Sequence, residues 1–314
     1  MKLGIDMGGM SIKMGLVKEE NKIIGRITIP TDLTVPYQTL VERMADAVRQ
    51  MLENAGMTLE QCGGIGIGSP GTIDAKQGVI LYSNNFGWEN VPIVEELKKH
   101  LDTRIEIAND ADAAALGEVC AGAAEGAENA VLLTLGTGVG SGVILDKKIF
   151  RGAMPGGCEL GHLSIRYDGI RCTCGRKGCL EAYASASALL RIAREKAAEH
   201  PESIMNEMCG NDLEQMNGKI PFDAAKAGDE AGMETVKEYE GYLACGIANV
   251  INTFRPEKVI LGGGVAAQKD NLTAPLKDLV KDMCFGGSHG HIADIVTSVL
   301  GNDAGIIGAA NLVV

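Results

Sequence analysis

The first third of the chain changes from a strand pattern to a helical pattern. Residues 2–29 alternate apolar and small residues, with glycines at 8 and 9 and a polar stretch at 18–22, which predicts three antiparallel strands. From Tyr37 to Asn54 apolar residues recur every three or four positions, which predicts an amphipathic helix. Apolar runs at 64–68 and 104–108 predict two buried strands, and the second leads into a helix that opens at Asn109 and Asp110.

The same layout returns near residue 130. Residues 131–145 repeat the order seen in residues 3–16, with an apolar strand, a glycine-rich turn and a returning strand. Later patterns predict helices at 182–199 and 229–254, strands at 258–261 and 291–298, and a closing helix at 303–312. A repeated layout of this kind predicts an α/β protein with two related domains that face each other across a cleft.

Composition and charge narrow the functional class. Glycine supplies 42 of 314 residues, about twice the usual share, but there is no Gly-X-Y period and proline numbers 9, which excludes collagen and disorder. The 29 basic and 41 acidic residues give a net charge of −12 without a basic run, which argues against nucleic-acid binding. We find no leader-like or membrane-spanning apolar stretch and expect a cytoplasmic protein without a membrane partner.

Three turns combine glycine with small residues, at 6–11, 136–142 and 262–265. Backbone N–H groups without a neighbouring Cβ can converge on one anion, so the three turns together favour phosphate binding. Each turn alone is more typical of a tight hairpin that needs a positive φ. The stretch Gly66–Gly71 fits the dinucleotide-binding spacing, but a strand follows it where a helix would be required, so we reject that interpretation.

Two aspartates are candidates for catalysis. Asp110 lies at a strand-to-helix junction beside Asn109, where a carboxylate can act as a general base, although a helix cap is the more common role for either residue. Asp6 precedes the first glycine turn, where its carboxylate could face Mg²⁺ or its waters or could simply form the turn.

A cysteine cluster follows the segment Glu159-Leu-Gly-His162. Cys172, Cys174 and Cys179 with His162 provide three sulfurs and one imidazole, a closed four-ligand set suited to structural Zn²⁺. One ring nitrogen of His162 could bind the metal while the other donates to a substrate hydroxyl. Two alternatives stay open: the cysteines could be redox-active, and Cys158 could compete as a ligand.

These features together resemble the ROK sugar kinases, most closely their bacterial glucokinases. The resemblance spans essentially the whole chain and rests on segments that stand in the family's order: Asp6–Gly9, Gly68–Gly71, Asn84–Trp88, Asn109–Asp110, Leu135–Gly138, Glu159–His162, Cys172–Glu181 and Gly262–Gly264. It implies the actin-like ATPase fold, with ATP between two lobes and transfer of its γ-phosphoryl group to a sugar hydroxyl with Mg²⁺. The implied lobes are residues 1–117 with 302–314, which carry the base, and residues 118–301, which carry the zinc knuckle and nucleotide elements.

The resemblance also implies roles for individual residues. Asp110 is similar to the family's catalytic base, which deprotonates the sugar 6-hydroxyl. The predicted sugar-binding residues are Gly71, Thr72, Asn84, Asn109, Asp110, Glu159, His162 and Glu181. The predicted nucleotide-binding residues are Asp6, Gly8, Gly9, Ser11, Lys13, Thr137, Gly138, Gly263 and Gly264.

One position departs from the family pattern, and several alternatives remain. Met10 stands where the family usually has threonine, so Ser11 or backbone N–H groups would have to serve the phosphate. The substrate could be another hexose, such as N-acetylmannosamine or fructose, and by the resemblance Gly71, Thr72 and Asn84 lie where selectivity for the 2-substituent of the sugar would be decided. The family also contains sugar-responsive transcriptional regulators, which carry an N-terminal helix-turn-helix, whereas here the first phosphate-loop strand begins at residue 3. A homodimer or higher homo-oligomer is expected from the resemblance.

Overall fold

The computed structural model describes residues 1–290 and 292–313 and divides into two compact units. The first unit consists of Met1–Leu132, Gly142–Cys158 and Val299–Val314, and the second of Leu133–Ser141 and Glu159–Ser298. His291, in the predicted strand 291–298, and Val314, in the predicted smaller lobe, lie outside the described residues. The bounds of these compact units differ from those of the predicted lobes. The division of the chain into lobes at residues 117 and 118 stays a prediction.

The regular elements follow the sequence patterns closely. The strands are β1 (Lys2–Met7), β2 (Ser11–Val17), β3 (Ile23–Pro30), β4 (Ile65–Ser69), β5 (Thr72–Asp74), β6 (Val79–Ser83), β7 (Trp88–Val91), β8 (Ile105–Asn109), β9 (Ala130–Leu135), β10 (Val139–Leu145), β11 (Lys148–Ile149), β12 (Lys258–Gly262) and β13 (Asp294–Thr297). The helices are α1 (Tyr37–Asn54), α2 (Ile93–Lys98), α3 (Asp110–Ala121), α4 (Glu181–Ala184), α5 (Ala186–Glu199), α6 (Ile204–Met208), α7 (Ile220–Lys226), α8 (Glu230–Phe254), α9 (Asp270–Met283) and α10 (Asp303–Ala310).

The strand order shows the repeat that the sequence predicts. One five-stranded sheet has the order β3-β2-β1-β4-β8, in which β1, β2 and β3 are antiparallel and β1, β4 and β8 are parallel. The other has the order β11-β10-β9-β12-β13, with β12 and β13 parallel, and the division between the units passes through β9 and β10. The two orders correspond strand for strand. A separate antiparallel sheet, β5-β6-β7, follows Gly71, so a strand does stand where a dinucleotide site would need a helix.

The core of the first unit lies on both faces of its five-stranded sheet. Helix α1 buries its predicted apolar face, including Leu40, Met44 and Val48, and packs against β3. Helix α10 packs against β1 and β4, where a Cβ at Gly4 would lie 1.9 Å from the backbone oxygen of Ile306. Part of the glycine excess therefore lets a helix approach the sheet more closely than side chains would allow.

The second unit is mainly helical. Residues 182–199 were expected to form one helix, and this prediction is wrong because the helix is interrupted at Ser185. Ser185 has extended backbone angles, and its hydroxyl accepts a hydrogen bond from the Ala188 N–H at 3.1 Å, so it caps α5 and separates it from α4. Helices α5 to α8 enclose a small apolar core that includes Ala193, Met205 and Ile220.

No helix within the described part of the chain is both long enough and apolar enough to cross a bilayer.

Candidate active site

The Asn109–Asp110 pair divides two roles that the sequence could not separate. Asn109 is the N-cap of α3: its Oδ1 accepts the N–H of Ala111 at 2.8 Å, and its Nδ2 donates to the backbone oxygen of Gly71 at 3.1 Å. Asp110 is the first residue of the helix, and burial raises the pKa of its carboxyl. Asn109 therefore supplies the N-cap, and the Oδ1 of Asp110 also accepts the Ala111 N–H, at 2.9 Å, which leaves its other oxygen without a described hydrogen bond from another residue. Asp110 is thus a half-buried carboxylate that follows directly on the parallel strand β8.

Asp6 lies at the same edge of the sheet. The registers pair Asp6 with Gly68 and Ser69 with Asn109, so the ends of β1, β4 and β8 meet there. Burial raises the pKa of Asp6 to about 6; the opposing Lys13 ammonium lowers it, and the negative charge of Asp110 raises it further. The two carboxylates thus lie close enough for the charge of one to affect the pKa of the other.

The first glycine turn is closed by its own backbone and by Thr31, which follows β3. The Gly8 N–H donates to the Ser11 oxygen at 3.0 Å, and the Thr31 hydroxyl donates to the Gly8 oxygen at 2.6 Å. Met10 is 90% exposed at the tip of the turn, so its side chain occupies no packed position. The turn does join two antiparallel strands, β1 and β2, but neither Gly8 nor Gly9 has a positive φ. Gly263 has one, in a turn that leads from β12 into a short 3-10 helix and is not a hairpin.

Two neighbouring asparagines, Asn84 and Asn85, follow strand β6. Asn84, the predicted sugar-binding residue, is exposed, and its Oδ1 accepts the Tyr82 hydroxyl at 3.4 Å. The Nδ2 of Asn85 instead lies 3.9 Å from where a Cβ of Gly9 would stand, beside the first glycine turn. The repeated asparagine in the sequence was the signal, and only the structure shows that the second of the pair faces the turn.

The segment Glu159–His162 enters a short 3-10 helix over Leu160–His162. The backbone oxygen of Glu159 accepts the His162 N–H at 3.0 Å, and the Leu160 N–H donates to the Ser141 hydroxyl at 2.9 Å. These two hydrogen bonds restrain the backbone from Glu159 to His162 and so limit the directions that the two side chains can take.

The four predicted metal ligands come together. The ligand atoms of His162, Cys172, Cys174 and Cys179 all lie within 4.8 Å of one another. The Sγ atoms of Cys174 and Cys179 are 3.7 Å apart, and Cys172 Sγ is 3.7 Å from His162 Nδ1. A tetrahedral zinc with ordinary bond lengths needs S–S separations of about 3.8 Å and S–N separations of about 3.6 Å, so these two distances match those that Zn²⁺ requires.

The cluster contains the cysteines that were the preferred ligands and not the alternative, Cys158. Cys158, the alternative ligand in the sequence, contacts the Phe150 backbone oxygen at 4.0 Å and is absent from the cluster that the described residues form. His162 offers Nδ1 to the sulfurs, so its Nε2 is on the opposite edge of the ring. Burial and the neighbouring thiols raise the pKa of Cys179 to about 12, so a metal is needed to hold it as a thiolate near neutral pH.

Glu181, the first residue of α4, reaches the second glycine turn. Its Oε2 accepts the Val139 N–H at 3.0 Å, and a Cβ at Gly138 would lie 2.4 Å from that oxygen. Its Oε1 accepts the Thr173 hydroxyl at 3.0 Å. Glycine at 138 therefore admits the carboxylate, which links the turn to the cysteine knuckle.

The third glycine turn borders a cavity of about 500 Å³ in the second unit. Gly264 lines it together with Lys219, which precedes α7, Asp223 of α7 and Asn271 at the start of α9. Nothing in the sequence spacing of these three polar residues distinguishes them from an ordinary solvent-exposed helix face.

The comparisons with known proteins agree with this geometry. The model of the ROK family matches residues 2–314. The chain belongs to the ROK family. It is 36% identical to a glucokinase of Thermotoga maritima over 99% of this chain and 96% of the relative. A ROK family glucokinase from Streptomyces griseus, solved in complex with glucose and AMPPNP, is 31% identical with a TM-score of 0.79, over 99% of this chain and 98% of that one.

A ROK hexokinase from Thermus thermophilus is also similar, with 32% identity and a TM-score of 0.80 over 98% of this chain and 96% of that one. Likeness at this level, over nearly the full length of each chain, places this member of the ROK family in the actin-like ATPase fold, as its sequence predicts.

Proposed function

We propose that this chain is a sugar kinase that transfers the γ-phosphoryl group of ATP to the 6-hydroxyl of glucose and releases glucose 6-phosphate and ADP. The observation that carries the proposal is the Asp110 carboxylate, whose pKa is raised by burial and which lies at the same sheet edge as Asp6. The similarity to proteins named glucokinase at 32–36% identity supports glucose as the substrate and ATP as the donor.

In the proposed mechanism Asp110 aligns the sugar hydroxyl and accepts its proton as the new P–O ester bond forms and the phosphoanhydride bond breaks. A raised pKa suits this role, because a carboxylate with a pKa nearer to the working pH is a stronger base. Phosphoryl transfer otherwise depends on positioning and on neutralising the phosphate charge, which is what backbone N–H groups in glycine turns supply.

The sugar would be held by a set of backbone and side-chain groups that together donate and accept hydrogen bonds. We assign this role to Gly71, Thr72, Asn84, Asn109, Asp110, Glu159, His162 and Glu181. With Nδ1 turned to the sulfurs, His162 would offer Nε2–H to a hydroxyl. Several fixed polar groups are needed because a hexose presents hydroxyls in all directions, and each one left without a partner weakens binding.

The nucleotide would be held by the three glycine turns. We assign its phosphates to Gly8, Gly9, Ser11, Lys13, Thr137 and Gly138, and its adenosine to Gly263 and Gly264. Lys13 already contacts the Asn302 side chain at 3.0 Å, which orients its ammonium group near Asp6. Asp6 is the residue we assign to Mg²⁺ or its waters, which would neutralise charge on the phosphates.

Zinc would be held by His162, Cys172, Cys174 and Cys179, where it would supply structural rigidity and no open coordination position. We further propose two catalytic lobes, residues 1–117 with 302–314 and residues 118–301, a cytoplasmic location and a homodimer or higher homo-oligomer. Light scattering of the purified chain tests the last point, since a mass equal to the 32.9 kDa of one chain would contradict it.

The test of the proposed function is phosphorylation of a hexose panel with ATP and Mg²⁺, with ADP release followed in a coupled assay. We expect kcat/KM for glucose to exceed that for fructose, mannose and N-acetylmannosamine. A higher kcat/KM for another sugar would support the proposed kinase activity but show that glucose is not the preferred substrate. Phosphorylation of none of them, by folded zinc-loaded protein, would contradict the proposal.

A further inference from the structure

The turn Gly136–Val139 is tied at three points to the segment that follows the cysteine knuckle. The Ala186 N–H donates to the Gly136 oxygen at 2.7 Å, and the Ser187 hydroxyl donates to the Thr137 oxygen at 2.9 Å. The third tie runs from the Val139 N–H to Glu181. Consecutive backbone groups of the turn are thus oriented by residues 181–187.

Glu181 extends this attachment into the knuckle. Its Oε1 accepts the Thr173 hydroxyl at 3.0 Å and lies 3.4 Å from Cys172 Sγ. The Thr173 hydroxyl is thus a donor that holds this oxygen in place, at a shorter distance than the Cys172 sulfur. Thr173 stands between two members of the metal cluster, Cys172 and Cys174, and its position follows theirs.

We propose that Thr173, Glu181 and Ser187 form a latch that sets the phosphate-binding shape of the Gly136–Val139 turn and makes nucleotide affinity depend on an ordered zinc knuckle. The inference rests on the proposed function, because it takes this turn to bind phosphate. Thr173 and Ser187 are positioning residues, since both act through the turn backbone.

The physical argument concerns orientation. Peptide N–H groups stabilise phosphate strongly only when they already point at it, so a turn that must reorganise on binding loses affinity. With the Gly136 and Thr137 oxygens and the Val139 N–H each held by residues 181–187, the peptide groups of the turn keep one orientation. Removal of one of these hydrogen bonds lets the turn adopt other orientations, which lowers the fraction of protein molecules whose turn can bind phosphate.

The first experiment measures the dissociation constants of zinc-loaded protein for AMPPNP and for glucose by calorimetry. We expect Ser187→Ala to raise the AMPPNP constant about tenfold, the scale of one lost hydrogen bond, and to leave the glucose constant within about twofold. Thr253→Val is the matched control, because its hydroxyl donates only to Asn249 in its own helix, at 2.7 Å. Unchanged AMPPNP binding in Ser187→Ala would overturn the latch.

The second experiment tests the connection to the knuckle. Thr173→Val should weaken AMPPNP binding, and Thr173→Ser, which keeps the hydroxyl, should restore it to within about twofold of wild type. In chelator-treated protein that retains its circular dichroism spectrum, wild type should bind AMPPNP more weakly and Thr173→Val should add little further loss. An equal Thr173→Val effect with and without zinc would overturn the coupling. Wild-type protein that binds no AMPPNP would instead contradict the proposed function.

Discussion

At the scale of single residues, Asn109 and Asp110 share the first turn of α3. Asn109 is the N-cap, with its amide also fixed to Gly71, and one oxygen of Asp110 accepts the same Ala111 N–H at 2.9 Å. Burial raises the pKa of the Asp110 carboxyl. The sequence predicts the pair as a site but not which residue is the N-cap, because both residue types are common caps and the choice depends on backbone angles.

The first prediction concerns Asp6. Its pKa is raised from 3.8 to about 6, so its ionised form costs folding free energy; the cost is absent below about pH 4 and develops as the pH rises through about 6. Asp6→Asn should therefore raise the free energy of unfolding at pH 8 by about 1–3 kcal/mol, with the gain disappearing near pH 4. Urea denaturation across this range, with the exposed Asp46→Asn as control, measures it. If Asp6→Asn and the wild type have the same free energy of unfolding at pH 8, the ionised Asp6 carries no folding cost and the raised pKa is contradicted.

At the scale of elements, α3 is fixed at both of its ends. Asp110 and Asn109 stand at its start, and Glu118 lies fully buried in its last turn. The Glu118 carboxylate accepts the N–H of Ala123 at 2.8 Å, of Leu300 at 3.0 Å and of Val299 at 3.2 Å. It thereby fixes the helix to the segment that leads into α10.

Glu118 therefore carries the second prediction. Glu118→Ala should lower the free energy of unfolding by about 2–4 kcal/mol, because three partly buried backbone N–H groups lose the acceptor that a fully buried side chain supplies. The exposed Glu125→Ala, a few residues further along, is the matched control. Denaturation of both variants gives the comparison, and equal midpoints would show that solvent satisfies these groups.

The third prediction concerns the knuckle. We expect one tightly held zinc per chain by elemental analysis, and Cys174→Ser should lower that content and the melting temperature together, because a structural zinc contributes its binding energy to folding. Cys158→Ser should keep the full zinc content, since its sulfur lies by Phe150 and outside the cluster. Loss of zinc from Cys158→Ser, with retention in Cys174→Ser, would reverse the ligand assignment.

At the scale of the whole molecule, periodicity and repeats predicted most of the fold. The helix at 37–54, the strand-turn-strand repeat and the rejection of a dinucleotide site are confirmed by α1, by the matching sheet orders and by β5. The break at Ser185 was missed, because a serine with helical residues on both sides keeps the apolar period and only its backbone angles end the helix.

The site was predictable where chemistry restricts the residue types. Three cysteines and a histidine at knuckle spacing are hard to explain by packing, and the structure brings them together. Contacts that depend on tertiary register were not predictable. Examples are the approach of Asn85 to Gly9, the hydrogen bond from the Val139 N–H to Glu181 and the cavity beside Gly264, each of which joins segments far apart in the sequence.

The central claim, that Asp110 is the base of a glucose kinase, is tested most directly by Asp110→Asn. Asparagine keeps the size of the side chain and removes its ability to accept the hydroxyl proton. We expect glucose to bind within about twofold of wild type by calorimetry while kcat falls about a thousandfold, in the range typical for loss of a general base. Near wild-type turnover in Asp110→Asn would contradict the account.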